Sequence, residues 1–128
     1  MNSKLYFMKT LTKAESEIML ILWRLGQANV NSIIEQMSSP KPAYNTVSTI
    51  VRILEQKNFV GYQKEGRSHI YHPIVSEEDY KKTTSKLLAN TYFGGSFKSM
   101  VSFFVQKQDL SAQELESILN DLKSGKDD

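Results

Sequence analysis

Four polar side chains at helical spacing carry the chemistry of this sequence. Asn45, Ser48, Thr49 and Arg52 stand at i, i+3, i+4 and i+7. Successive helical residues turn by about 100°, so on a helix these four share a face. No acid lies among them. Asn can bond twice to an adenine edge and Arg twice to a guanine edge. Ser and Thr can bond bases or phosphates, and a Thr methyl can touch the methyl of thymine. Tyr44 and Thr46 flank the start of the same stretch, where helix N–H groups favour a phosphate. Together these residues describe a helix suited to reading the major groove of double-stranded DNA. The competing reading is an ordinary solvated face. Such a face would usually carry Glu and Lys, which favour helix, whereas Ser, Thr and Asn do not.

Lys64, Arg67 and His69 follow within a few residues. They suit contact with phosphates or the minor groove, or they form the polar tip of an ordinary hairpin. His69 and His72 are the two histidines, and there is no cysteine. On a strand, residues three apart point to opposite faces, so no metal site is expected. Glu77, Glu78 and Asp79 look like first-turn acids that favour a helix dipole. No Ser/His/Asp arrangement and no glycine-rich phosphate loop occurs. An enzyme is not expected, and no cofactor is called for.

The elements that must position these residues can be traced along the chain. Thr12 and Glu15 have capping-box spacing ahead of Ala14, Ile18, Ile21, Leu22 and Leu25, and Gly26 supplies a stop. A short helix is expected from about Asn31 to Met37, ended by Ser38–Pro42 with its two prolines. A third runs from about Ala43 to Gln56, with Val47, Ile50, Val51 and Leu54 as its buried stripe. Two extended runs, Phe59–Lys64 and Ser68–Ile74, joined by Glu65-Gly66-Arg67, predict a β-hairpin with Pro73 at an edge. This order is that of a winged helix-turn-helix, and the third helix stands where that motif places its recognition element.

Beyond Ser76 the pattern is wholly helical. One helix carries Tyr80, Leu87, Leu88 and Tyr92 and ends at Gly94-Gly95. The next, capped by Ser96, carries Phe97, Met100, Val101 and Phe104. The last opens on a Ser111/Glu114 capping box and carries Leu115, Ile118, Leu119 and Leu122. The tail SGKDD is expected to fray. These helices are short and apolar on one side, so they need a partner surface. The fold class is therefore mainly α with a small β-hairpin. A winged helix-turn-helix DNA-binding domain over 1–74 precedes a three-helix dimerisation domain over 75–128.

Charge follows the same division. Residues 1–74 hold nine Lys/Arg against five Asp/Glu, and residues 75–128 hold seven against nine. All three arginines lie in the first part. At 128 residues with 40% hydrophobic and 23% charged side chains, the chain can bury a core. No apolar run is long enough to span a membrane, and the first ten residues lack a signal-like run. A cytoplasmic protein without membrane insertion is expected.

The chain resembles the BlaI/MecI family of penicillinase repressors from Leu11 to Leu122. The resembling stretches are LTKAESEIMLILW, YNTVSTIVRILEQKNFV, HIYHPIVSEEDY and TYFGGSFKSMVSFFVQKQDLS. The last is the most telling, because generic winged helices lack it. The resemblance implies a homodimer on palindromic operator DNA, with Tyr44, Asn45, Thr46, Ser48, Thr49 and Arg52 at the recognition-helix positions. It also implies relief of repression by a protease linked to a membrane sensor of β-lactams. The aligned bond is Phe103–Phe104, with Phe103 where the family pattern has Asn. The copper-responsive branch uses C-terminal cysteines, so copper sensing is not expected here. Two other readings stay open. One is a regulator released by a small-molecule effector bound among the C-terminal aromatics. The other is a module whose winged helix docks on a protein.

Overall fold

The structure, a computed structural model, describes residues 10–125. The first nine residues, and the end of the tail expected to fray, lie outside them. The chain forms two compact units that divide after Thr84.

In the first unit, helix α1 (Lys13–Leu25) begins as its capping signals predict. The Thr12 hydroxyl accepts the Glu15 N–H at 3.2 Å, and the Glu15 carboxylate accepts the Thr12 N–H at 2.9 Å. Gly26 ends the helix at φ 86°. Ile18, Met19, Ile21 and Leu22 are buried, whereas Ala14 and Leu25 are exposed. The buried stripe is therefore rotated from the expected one, because α1 is covered on two sides, by α3 and by the hairpin.

Helix α2 (Val30–Glu35) starts one residue earlier than expected and is capped by Asn29, which accepts the Ser32 N–H at 2.8 Å. Helix α3 (Tyr44–Gln56) buries Val47, Val51 and Leu54, with Ile50 half-buried. Strands β1 (Val60–Glu65) and β2 (Ser68–Pro73) form the antiparallel hairpin. Their register pairs Glu65 with Ser68 across the two-residue turn Gly66-Arg67. Gly66 takes φ 63° there, a conformation that costs an ordinary side chain energy. Ala28, between α1 and α2, exchanges two backbone hydrogen bonds with Tyr71, so the hairpin is tied to the helices.

One core joins these pieces: Ile18, Met19, Leu22, Ile33, Val47, Val51, Leu54, Phe59 and Val60 are all essentially inaccessible. The side of this core is closed by the start of helix α4 (Glu77–Tyr92). The Tyr80 hydroxyl accepts the Leu11 N–H at 2.9 Å, and its ring meets Phe59 edge-on at 5.7 Å and Trp23 at 5.9 Å. The Trp23 indole donates to the Val75 carbonyl at 2.8 Å. Tyr80, grouped by the sequence with the dimerisation residues, thus packs on the core of the first unit.

One buried ion pair braces this unit. Lys57 donates to both carboxylate oxygens of Glu15, at 2.8 and 2.9 Å, where Glu15 is 4% exposed. Burial pushes the Glu15 pKa up. The Lys57 ammonium and the Thr12 N–H outweigh that, leaving the carboxyl below its ordinary value.

The second unit holds the rest of α4, then α5 (Phe97–Gln106) and α6 (Ala112–Lys123). Ser96 caps α5, and a complete Ser111/Glu114 capping box opens α6. Neither helix buries a single residue. Leu87, Leu88, Tyr92, Phe97, Ile118, Leu119 and Leu122 are exposed, and Met100, Val101, Phe104 and Leu115 are half-buried. Well-capped helices thus carry apolar faces that this unit, by itself, leaves open to solvent.

Candidate nucleic-acid interface

The buried stripe of α3 determines what the helix shows outside. With Val47, Val51 and Leu54 in the core, Asn45, Thr49 and Arg52 are exposed and Ser48 is half-buried at the edge. Gln56 is exposed on the same outward side, and Ile53, 37% exposed, is on its flank. The sequence reading passed over both. Thr49 Oγ1 donates to the Asn45 carbonyl at 2.8 Å, and Arg52 Nε reaches back to the Ser48 carbonyl at 3.5 Å.

A cleft of about 350 Å³ runs between this helix and the hairpin. Its lining brings Tyr44, Ser48 and Arg52 of α3 together with Arg67 and His69 of the hairpin. These residues stand far apart in sequence but form one basic concavity. No Asp or Glu lines it. Tyr71 forms part of the lining. Its hydroxyl is pushed above the ordinary tyrosine pKa by burial and then by the nearby Glu55 carboxylate, with Arg52 opposing. It therefore stays a neutral hydrogen-bonding group.

Asn29, Val30 and Asn31 at the start of α2, with Ser68 of the hairpin, complete the lining, and the sequence reading missed both asparagines as site residues. Asn29 was discoverable, since it precedes Ser32 by three residues, the spacing of an N-cap.

Lys64 lies outside the cleft lining. Strand register puts it directly opposite His69. Alternation places Tyr62, Lys64, His69 and Tyr71 on one face of the hairpin. There the His69 ring stacks on Tyr62 with centroids 4.3 Å apart and planes 7° from parallel. His72 is on the other face, as expected for the spacing of the two histidines. Thr46 is also apart from the cleft, in a separate groove with Ala14, Glu17, Pro40 and Pro42. Among the described residues no cluster of His, Asp and Glu could hold a metal ion.

An exposed polar helix face beside a hairpin that carries Lys64 and Arg67 has the chemistry to meet duplex DNA, and an α-helix is the right width for a major groove.

Comparison with known proteins gives concordant findings. Residues 11–124 match the sequence model of the family described as penicillinase repressor. The chain is 36% identical over 121 residues to the methicillin resistance regulatory protein MecI of Staphylococcus aureus strain N315. The match covers 94% of this chain and 96% of that protein. It is 31% identical over 121 residues to the penicillinase repressor of Bacillus licheniformis, covering 91% of each. Among solved structures, the DNA-binding domain of the repressor BlaI is similar, with a TM-score of 0.50 and 31% identity. That likeness covers 57% of this chain and 90% of the other.

Proposed function

Since this chain belongs to the penicillinase repressor family, we propose that it is a dimeric, sequence-specific transcriptional repressor acting in the cytoplasm by occluding a palindromic operator. It carries out no catalysis. Residues 1–74 form the reading head and residues 75–128 the pairing surface. Tyr80, although within 75–128, packs on the core of the first unit. The observation that carries this reading is the joint exposure of Asn45, Thr49 and Arg52 beside a cleft that also collects Arg67 and His69.

Each α3 enters one major groove, with Asn45, Ser48, Thr49 and Arg52 toward base edges and Tyr44 and Thr46 at its leading end. Lys64 and Arg67 hold the flanking phosphates. Dimerisation supplies the second half-site. The open apolar faces of α5 and α6 support it, since helices this short are marginal without tertiary packing.

Repression ends by proteolysis at Phe103–Phe104, through a protease answering to a membrane sensor. That bond is inside α5, and a helix must open before a protease can cut it. No residue of α5 is buried, so local opening costs little in the unpaired unit. Cutting there would separate α6 and the end of α5 from the pairing surface.

Selection of bound fragments from a random double-stranded DNA pool tests the proposal. A single palindromic site should emerge. With about four phosphates neutralised, each doubling of salt should weaken binding on the order of tenfold. A pool that enriches no sequence, or binding indifferent to salt, would contradict it and favour docking on a protein.

A second reading has one observation behind it. A shallow cavity of about 500 Å³ is lined by Phe93, Phe103, Lys98, Ser99, Ser102 and Gln106. An effector seated there would release DNA from intact protein, without cleavage.

A further inference from the structure

Thr49 differs from its neighbours on the outward face in what it has left to offer. Its hydroxyl donates to the Asn45 carbonyl one turn back, at 2.8 Å. A threonine Cβ carries one hydroxyl and one methyl. When Oγ1 is turned in to the preceding turn, the methyl is the part left to face outward. Thr49 is exposed, and the helix that bears it is seated firmly by Val47, Val51 and Leu54. This position is polar by residue type, but its hydroxyl proton is committed to the helix, which leaves the methyl for outward contact.

Its neighbours are different. Among the described residues the Asn45 amide makes no hydrogen bond. Among the described residues Arg52 is tied only by the long 3.5 Å contact of its Nε, and its two terminal nitrogens make no hydrogen bond. Both therefore keep donors for hydrogen-bond readout. An exposed methyl in the middle of such a face has one natural counterpart in the major groove, the C5 methyl of thymine.

We infer that Thr49 is a specificity residue that reads the 5-methyl group of one thymine in each operator half-site through its own methyl, not through its hydroxyl. This rests on the repressor reading above and adds to it the base and the chemical group recognised.

The test removes each methyl separately. On the operator returned by selection, each thymine of the half-site is replaced in turn by deoxyuridine, which lacks only the methyl. Binding is measured for the wild type, Thr49→Ser and Thr49→Val. Thr49→Ser keeps the hydroxyl bonded to the helix but loses the methyl, and Thr49→Val keeps the methyl and loses the hydroxyl. One thymine position should weaken wild-type binding by about fourfold when it becomes uracil, the size expected from one buried methyl. Thr49→Val should show the same sensitivity, and Thr49→Ser should bind both DNAs alike. Thr49 is exposed, so all three proteins should give the same circular dichroism spectrum and melting curve.

The inference is overturned if no position is sensitive to uracil in the wild type, or if Thr49→Ser keeps the sensitivity and Thr49→Val loses it. Those outcomes leave sequence-specific binding intact, so they are distinct from failure of the repressor reading, in which selection returns no site at all.

Discussion

The two compact units spend their apolar residues in opposite ways. Up to Thr84, a core running from Ile18 to Tyr71 closes around Phe59 and leaves no buried side-chain nitrogen or oxygen without a partner among the described residues. From Ser85 on, Ala89 is the one buried hydrophobic described. There Tyr92 is 74% exposed and Leu122 68%. Both units have well-capped helices, so helix formation does not separate them. What separates them is whether the faces of those helices meet partners in the same chain. The first unit holds α3 in a fixed direction by its own core. The second leaves the apolar faces of its helices exposed.

The contrast can be broken most sharply in the first core. Phe59→Ala removes a ring packed on Tyr80 and the hydrophobic core, and should cost about 4 kcal/mol of stability. Chemical denaturation of the full chain, followed by the fluorescence of Trp23, measures it. A loss under 1 kcal/mol would mean that the first unit is not self-sufficient.

The buried ion pair should rank next. Glu15→Gln leaves Lys57 without its carboxylate and should cost about 3 kcal/mol near neutral pH. The folded protein holds Glu15 below its ordinary pKa of 4.5. Its ionised form therefore contributes fully above the ordinary carboxylate range, and the contribution is lost as pH falls through the lowered value. Wild type and Glu15→Gln should converge in stability on acidification through that window. Parallel curves would remove Glu15 from the account.

A smaller effect belongs to the hairpin turn. Gly66 has φ 63° and open space where a Cβ would go, so Gly66→Ala is strained but not crowded. It should cost about 1–2 kcal/mol, seen as a lower denaturation midpoint.

Smallest in the first unit, and most telling for the comparison, is Leu119→Ser with Leu122→Ser. Both leucines are exposed. Unfolding of the first unit should shift by less than about 0.5 kcal/mol. Sedimentation should nevertheless change from dimer to monomer. A dimer that survives the double substitution would place the pairing surface elsewhere.

What could be read in the sequence follows the range of the interactions. Capping boxes at Thr12/Glu15 and Ser111/Glu114 are local, and both are present as expected. Helix α3 was legible because its apolar stripe and its polar stripe are one pattern seen from two sides. The buried face of α1 was legible in part: Ile18, Ile21 and Leu22 are buried as expected, but where α3 and the hairpin pack covers Met19 and leaves out Ala14 and Leu25. Tyr80 falls in a helix whose two ends serve different units, and local periodicity does not reveal that. The His69–Tyr62 stack depends on hairpin register, which turn residues only bracket. Gathering Arg52 with Arg67 depends on the whole fold.

Binding of the selected operator by Arg52→Ala tests the central claim most directly, namely that the outward face of α3 reads DNA. Arg52 is exposed and makes no ion pair among the described residues, so its removal should spare the fold. The account predicts that the Arg52→Ala protein sediments as a dimer, melts like the wild type and loses specific operator binding by about a hundredfold or more, as expected for a lost bidentate base contact in each half-site. A folded Arg52→Ala dimer that binds the operator as tightly as the wild type would contradict it.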